Sequence, residues 1–209
     1  MNIIGFDFSI NKPAACVYIN RNYIFYSWPF DLSNKLKTVY RNAGVNLQNR
    51  FDIKYKGTDS TLKMRWEVKN AQYLSKLIIS DLLPFINNET IIAFEGLSYG
   101  SSGNMGIQLG GYKYILMNAL SQLISIDNMW TYAPITIKKT AGCSKKGQTK
   151  SDVIDSFIKN YYGDSSLRQA LKNNTSEFKK KTGTWIEHLD DLIDSFFVVE
   201  TYKSKELTN

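Results

Sequence analysis

A chain of 209 residues with 43% hydrophobic content is long enough to bury the core of one domain, and residues 1–209 are predicted to form a single domain. Its two cysteines have the spacing of neither a zinc site nor a disulfide framework, and no segment reads as an apolar leader or a membrane span, so we expect a reduced, cytoplasmic protein. The formal net charge of +7 favours an anionic partner.

The first third of the chain predicts three strands followed by a polar segment. An apolar run ends near Asp7, a second strand covers residues 14–19 and a third covers residues 23–28, with residues 20–22 forming the hairpin turn between the last two. Residues 31–63 are polar and show no clear periodicity. They predict an irregular insertion.

The rest of the chain alternates helices with short strands. Apolar residues recur at helical spacing over residues 64–83, with Pro84 as a stop, and residues 90–94 form a buried-type strand that ends at Glu95. Further predicted elements are a helix over 106–124, a strand over 129–132, a basic loop, a helix over 151–161, a polar stretch and a final helix from about residue 185. The order of elements predicts a mixed α/β domain whose helices cover the sheet.

Lysines concentrate in two clusters in the second half of the chain. The first cluster lies in a segment that also contains Gly, Ser and Thr, and it comprises Lys138, Lys139, Lys145, Lys146 and Lys150. The second covers residues 179–181. Clustered positive charge is typical of contacts with nucleic-acid phosphates, which predicts DNA-binding residues in the first cluster. Solvated lysines on a flexible loop remain an alternative for the second.

Four carboxylates stand at the ends of buried elements or on one helix face. Asp7 and Glu95 each end an apolar strand, and Asp191 and Asp194 are three residues apart on the final helix, so they share a face. Carboxylates held together repel each other unless a cation lies between them, and Mg²⁺ readily takes carboxylate oxygens. Together the four predict a magnesium site.

Each of these carboxylates also has a structural explanation. Asp7 fits an Asx turn at a strand end, Glu95 fits a solvated strand end, and Asp190 and Asp191 fit the favourable charge of a helix N-terminus. His188, the only histidine, lies one turn before Asp191. It is a secondary candidate for a ligand or proton carrier, with a polar surface residue as the alternative.

Four segments together point to a known family. NIIGFDFSINKPAACV is a strand that ends in Asp followed by a small polar residue, and IIAFEGLSYGSSGNMGIQLGGYKYILMNAL is a strand, a Glu, a loop and a helix. YAPITIKKTAGCSKKGQTKSDVIDSF combines a basic segment, a glycine-containing loop and a lysine at a helix start, and DLIDSF fits a D-x-x-D-[A/S] helix. In this order they resemble the RuvC-type Holliday junction resolvases of the RNase H/integrase superfamily. The resemblance omits residues 31–63 and about 163–184.

The resemblance implies an RNase H-like fold, with a central mixed sheet of a three-strand antiparallel meander plus parallel strands, flanked by helices. It implies two Mg²⁺ ions per active site, for which Mn²⁺ can substitute, held by the catalytic carboxylates Asp7, Glu95, Asp191 and Asp194. Lys138 and Lys150 occupy the family's basic active-site positions, and Lys150 is the predicted catalytic lysine. Since some members place His where others have the first helix Asp, His188 with Asp191 is an alternative register.

The resemblance also implies partners. A homodimer with two active sites would nick opposed strands of a four-way DNA junction, or of other branched DNA, symmetrically. The helix over 106–124 either contributes to that dimer or only packs on the sheet. The family's aromatic residue three places after the Glu is Ser98 here, so Tyr99 is the candidate for contacting opened bases. The polar insertion is typical of phage relatives and predicts a bacteriophage protein in the host cytoplasm.

Other functions fit parts of the same pattern. A catalytically inert protein would bind branched DNA without cutting it, and a related RNase H-like nuclease would cut RNA/DNA hybrids with the same carboxylates. The actin/sugar-kinase fold also begins with a strand ending in Asp, but this sequence has neither clear phosphate-binding glycine loops nor two lobes. A panel of nucleic-acid substrates with and without metal distinguishes the nucleases from the inert binder.

Overall fold

Six strands form one mixed sheet at the centre of the protein. The computed structural model describes residues 1–48, 50, 55–97, 104–160 and 165–207. Within these ranges the strands are β1 (Ile3–Asp7), β2 (Ala14–Ile19), β3 (Asn22–Ser27), β4 (Asn46–Leu47), β5 (Ile91–Glu95) and β6 (Met129–Tyr132). Their order is β4-β3-β2-β1-β5-β6, with β1, β2 and β3 antiparallel and the β3–β4, β1–β5 and β5–β6 pairs parallel. The predicted meander extended by parallel strands is confirmed.

Helices cover both faces of this sheet. The described helices are α1 (Asn34–Asn42), α2 (Ser60–Leu82), α3 (Asn104–Leu120), α4 (Pro134–Thr140), α5 (Lys150–Asn160), α6 (Ser166–Asn173) and α7 (Leu189–Glu206). One apolar cluster includes Leu74 of α2 and Leu116 of α3, and a second includes Phe157 of α5 and Phe196 of α7. The predicted α/β class is confirmed. Among the helices of the described ranges, none is both long and apolar enough to cross a membrane.

Strands β1 and β5 lie side by side in the middle of the sheet. The first four residues of each, in the sequences IIGFD and IIAFE, are buried, as expected for parallel strands covered on both faces. Their register pairs Phe6 with Phe94, and the two rings stack with centroids 4.9 Å apart. Asp7 and Glu95 follow one residue later. The parallel pairing therefore delivers both carboxylates to the same edge of the sheet.

A glycine in β1 allows helix α7 to lie directly on the sheet. A Cβ atom at Gly5 would be 2.5 Å from the carbonyl oxygen of Ser195 and 2.8 Å from Cγ2 of Val199. Real Cβ atoms do not approach backbone this closely, so any side chain at Gly5 would push α7 away from β1. Because α7 begins with the acidic segment, this contact also sets how far its carboxylates lie from Asp7.

The expectation of an irregular segment over residues 31–63 is wrong for part of that range. It contains α1, the short strand β4 and the first residues of α2. Leu36, Val39 and Tyr40 place apolar side chains at helical spacing in α1, and Tyr40 is fully buried, with its hydroxyl donating to the carbonyl oxygen of Glu187 at 2.5 Å. Residues 49 and 51–54 lie outside the described residues. Whether the segment is an insertion remains a prediction.

Two further helices occupy segments that were predicted as loop. Helix α4 lies within the predicted basic loop and begins at Pro134, which is a favoured first helical residue. Helix α6 lies within the predicted polar stretch and buries Leu167 and Leu171. Helix α7 begins at residue 189 and not near 185, because His188 has left-handed backbone angles. Helices α4 and α6 are short, so burial of their apolar side chains stabilises them more than their own length does.

We expect Gly5→Ala to lower the free energy of unfolding by about 1–3 kcal/mol, because the added methyl group overpacks the contact between β1 and α7. Chemical denaturation measures this loss. Gly111→Ala is the matched control, since Gly111 lies on α3 with no atom within 4 Å of an added Cβ and should tolerate or favour alanine. Equal stability of the two variants would contradict the close approach at Gly5.

Candidate metal centre

Three carboxylates from three separate elements meet at one edge of the sheet. Asp7 comes from the end of β1, Glu95 from the end of β5 and Asp194 from the second turn of α7. One carboxylate oxygen from each lies within 4.8 Å of the other two. All three side chains are half-buried. The sequence prediction had grouped these three residues, and the fold brings them together.

Asp191 lines the same cleft but lies outside this triad. Its Oδ2 is hydrogen-bonded to Nδ1 of His188 at 2.8 Å, and the Asp191 side chain is 23% exposed. Asp191 and Asp194 both line the cleft, as their spacing of three residues predicts. The site is therefore a compact triad with a fourth carboxylate held beside it by a histidine.

The carboxylates are electrostatically crowded. Burial raises the pKa of Asp7 well above its ordinary value, and the negative charges of Asp191, Glu95 and Asp194 raise it further. Burial and the charge of Glu95 raise the pKa of Asp194 to about 7. Burial also raises the pKa of Glu95, although its hydrogen bond with Asp7 and the nearby lysines oppose this. Without a cation, the cluster therefore retains protons near neutral pH.

Lysines surround the carboxylates without neutralising them directly. Lys150, at the start of α5, forms an ion pair with Asp190 and lines the cleft beside the triad. Burial alone would lower the pKa of Lys150, but its bond with Asp190 raises it overall, so the ammonium group stays charged. Lys138 of α4 also lines the cleft. Asp190, which lines the neighbouring cavity and not the cleft, thus serves as the partner of Lys150.

The other three lysines of the first cluster lie outside the carboxylate cleft. Lys139, Lys145 and Lys146 are exposed and do not line the carboxylate cleft. Tyr99 lies outside the described residues. The second lysine cluster contributes Lys179, whose Nζ lies 4.7 Å from the centroid of the Trp185 ring.

Lys113 is a cleft residue that sequence reasoning missed. It projects from α3, is only 5% exposed, and its Nζ donates to the carbonyl oxygen of Glu95 at 2.5 Å. Burial lowers the pKa of Lys113 to about 8, against the charges of Glu95 and Asp7, which raise it. The spacing of apolar residues could have predicted this placement. Lys113 follows Leu109 by four residues and precedes Leu116 by three, so it lies on the sheet-facing side of an apolar helix.

The triad opens into a cleft of about 360 Å³, which is large enough for part of a nucleotide chain. Asp7, Glu95, Asp191 and Asp194 line it, together with Lys113, Lys138 and Lys150. A second cavity of about 380 Å³ shares Lys150 and Asp191 with the cleft and extends past Asp190 to Lys12. Lys150 and Asp191 therefore line both the cleft and the second cavity.

The donor set fits a hard divalent cation. Mg²⁺ and Ca²⁺ bind oxygen ligands, and Mg²⁺ sites in proteins commonly use a few carboxylates and leave other positions for water and substrate phosphate. No basic side chain in the described part of the chain forms an ion pair with Asp7, Glu95 or Asp194. The carboxylates that crowd the cleft thus lack the positive charge that a bound cation would provide.

Comparisons with known proteins support the fold. No family model and no curated protein sequence matches this chain. Among solved structures, the chain is similar to Thermus thermophilus RuvC bound to a Holliday junction substrate, with 11% identity, a TM-score of 0.53, and 99% of this chain and 96% of that chain covered. A structure of Thermus thermophilus RuvC gives 11% identity and a TM-score of 0.52, with 98% and 96% covered. The predicted RNase H-like fold is confirmed.

A viral protein has a more distantly similar structure. Fowlpox virus resolvase, solved with substrate Holliday junction DNA, matches at 15% identity and a TM-score of 0.47, with 99% of both chains covered. At such identities a likeness describes the fold of the chain. The roles of individual residues must come from the geometry of this site.

We expect the metal-free protein to lose stability as pH rises from about 4 to about 7. Over this range the folded state holds a proton on Asp194, whose pKa is raised to about 7, while the unfolded chain has released it, so the free energy of unfolding falls with rising pH. The loss should reach about 2–4 kcal/mol above pH 7. Thermal denaturation in EDTA at several pH values measures it.

Asp194→Asn should flatten this pH dependence, because the variant has no proton to lose at that position. Added Mg²⁺ should raise the melting temperature of the wild type more at about pH 8 than at about pH 5, since protons and metal compete for the same carboxylates. Asp31→Asn, at an exposed residue, is the matched control and should keep the wild-type profile. A wild-type profile that does not change between pH 4 and 7 would contradict the electrostatic description of the cluster.

Proposed function

We propose that this protein is a metal-dependent, structure-specific endonuclease that resolves four-way DNA junctions, and by extension other branched DNA, through paired symmetric nicks. The observation that carries the proposal is the meeting of Asp7, Glu95 and Asp194 on the fold of a RuvC-type protein. The neighbour solved with a Holliday junction substrate supports this substrate class. The enzyme class is a phosphodiester hydrolase.

The cofactor in this proposal is Mg²⁺, with two ions per active site and Mn²⁺ as a substitute. Asp7, Glu95 and Asp194 would hold it, and Asp191 completes the ligand set from the rim of the triad. When bound, Mg²⁺ activates water for attack on a phosphodiester and stabilises negative charge on the leaving oxygen. Separate elements supply the ligands, so a rigid sheet and helix would hold them in place.

The lysines would bind and orient the DNA strand. Lys150 is 72% exposed and forms its one ion pair among the described residues with Asp190, so its ammonium group can turn towards a phosphate placed over the triad. Lys138 also lines the cleft, and Lys139, Lys145 and Lys146 would contact the phosphates of flanking nucleotides. Lys113 stays buried and supports the end of β5 through its bond to Glu95. A DNA contact by Tyr99 remains a prediction.

A homodimer would provide the two active sites that paired cuts require. Two-fold symmetry in the substrate is matched most simply by two-fold symmetry in the enzyme. Helix α3 packs Leu116 and Leu120 against the sheet, yet it exposes 77% of Ile107 and 66% of Tyr114. Exposed apolar residues on a helix beside the cleft support a contact with a second subunit. A bacteriophage source and a place in the host cytoplasm stay predictions.

We expect the purified protein to nick opposed strands of a labelled four-way junction in Mg²⁺ or Mn²⁺ and to be inactive in EDTA. Linear duplex, replication forks, flaps and an RNA/DNA hybrid complete the panel. If the protein cuts the RNA/DNA hybrid in preference to the junction, its function is that of a ribonuclease and not of a junction resolvase. Tight binding of the junction with no cutting in either metal would identify an inert branched-DNA-binding protein.

In the same assay, Asp7→Asn and Asp194→Asn should reduce the cleavage rate by at least about 10³-fold, because each removes a charged ligand that stabilises the transition state. Junction binding, measured by electrophoretic mobility shift, should be retained. Asp31→Asn, with the same chemical change at an exposed position, should cut like the wild type. Normal cutting by either active-site variant would show that the carboxylate assignment is wrong.

A further inference from the structure

His188 combines an unusual backbone conformation with a fully buried side chain. Its backbone is left-handed, with φ of 74° and ψ of −7°, directly before α7. The other described non-glycine residues with positive φ are Asn20 and Arg21, which form the tight turn between β2 and β3, where such angles are required. His188 lies in no hairpin, and its side chain does not cap the helix. Its unusual backbone therefore points to what the side chain does.

Two hydrogen bonds and an aromatic contact fix the imidazole ring of His188. Its side chain is fully buried, Nδ1 lies 2.8 Å from Oδ2 of Asp191, and Nε2 lies 2.5 Å from Oγ of Ser27. Ser27, at the end of β3, is itself buried, and its Oγ also lies 3.1 Å from the carbonyl oxygen of Pro13, so its single hydroxyl hydrogen is shared between that carbonyl and the imidazole. The ring of Tyr40 meets the imidazole edge-on, with centroids 6.0 Å apart. Whichever nitrogen carries the proton, these contacts fix the plane of the ring.

These contacts leave no ring nitrogen for a metal ion. Both nitrogens of His188 already have partners, so the residue cannot also coordinate a cation beside the carboxylate triad in this arrangement. What it does reach is Asp191, the carboxylate that lies outside the triad and is otherwise free to swing between the cleft and the adjoining cavity. A fully buried ring anchored to β3 would hold Oδ2 of Asp191 and leave Oδ1 for the cleft.

We propose that His188 is a positioning residue that fixes the fourth carboxylate, Asp191, for cation binding, with Ser27 as its anchor on the sheet. The inference rests on the proposed function, because it assigns a task at the same metal centre. Hydrogen-bond partners of ligating carboxylates typically change metal affinity by about 10–100-fold when they are removed. The side chain at position 188 would thus tune metal binding without touching metal or DNA.

The test is a double-mutant cycle read by metal binding in the absence of DNA. Isothermal titration calorimetry with Mn²⁺ compares the wild type, His188→Gly, Asp191→Ala and the double variant. Glycine suits the left-handed backbone and so removes only the side chain. We expect His188→Gly to raise the Mn²⁺ dissociation constant by about 10-fold or more in the wild-type background. In the Asp191→Ala background it should change that constant by less than about twofold, since the residue acts through Asp191.

Two more variants separate positioning from a structural role. His188→Asn keeps a side-chain donor at a backbone conformation that asparagine tolerates, and its dissociation constant should fall between those of the wild type and His188→Gly. Ser27→Ala leaves the backbone before α7 unchanged and should weaken Mn²⁺ binding in the same direction, which keeps the test valid if His188→Gly does not fold. Thermal denaturation of each variant checks folding.

The outcomes distinguish this inference from the proposed function. If the wild type binds no Mn²⁺ and cuts no junction, the metal-dependent nuclease itself is wrong. If the wild type binds and cuts while folded His188→Gly and Ser27→Ala bind Mn²⁺ equally well, only the positioning role is wrong. An equal loss of affinity with and without Asp191 would also overturn it, because the effect would then not pass through that carboxylate.

Discussion

The carboxylates at the ends of β1 and β5 and on α7 repel one another, and the backbone of the sheet and helix holds them together against this repulsion. Asp7, Glu95 and Asp194 place oxygens within 4.8 Å of one another. Two unit charges about 5 Å apart repel by about 3 kcal/mol at an effective dielectric constant of about 20. Burial and then this repulsion raise the pKa values of Asp7 and Asp194, whereas burial alone raises the pKa of Glu95. Such a cluster persists only where the surrounding structure imposes it, and it is relieved by a cation.

The surrounding structure imposes it through backbone placement. Strands β1 and β5 are neighbours in parallel register, so their terminal carboxylates cannot separate without breaking the sheet. Gly5 lets α7 approach β1, which brings Asp194 to the same edge. Positive charge lies nearby in Lys113 and Lys150, but each is bonded to another group, namely the carbonyl of Glu95 and the carboxylate of Asp190. The basic residues frame the site and leave its centre negative.

Much of this arrangement could be predicted from local patterns. An apolar run that stops at a carboxylate marks the ends of β1 and β5, and a spacing of three residues places Asp191 and Asp194 on one helix face. Helices α1, α4 and α6 were missed because each is short and is stabilised by tertiary packing, which periodicity over a few residues does not reveal. The order of the strands followed from the family resemblance more than from the strands themselves.

The side-chain contacts around the triad cannot be predicted from local sequence patterns. Lys113 lies 18 residues from Glu95 in sequence, and only the packing of α3 on the sheet shows which carbonyl its ammonium group meets. The sequence fits the histidine before α7 either as a ligand or as a surface residue, whereas it is buried and hydrogen-bonded to β3, 161 residues away. Long-range partners and a left-handed backbone angle depend on the whole fold, so the sequence around His188 does not encode them locally.

The central claim is that the carboxylates at the ends of β1 and β5 and at the start of α7 form a divalent-metal site. Anomalous diffraction from crystals grown with Mn²⁺ tests it most directly. The account predicts an anomalous peak within coordination distance of Asp7, Glu95 and Asp194, which Asp194→Asn weakens or removes. Well-ordered carboxylates without such a peak, or Mn²⁺ bound only elsewhere on the protein, would contradict it.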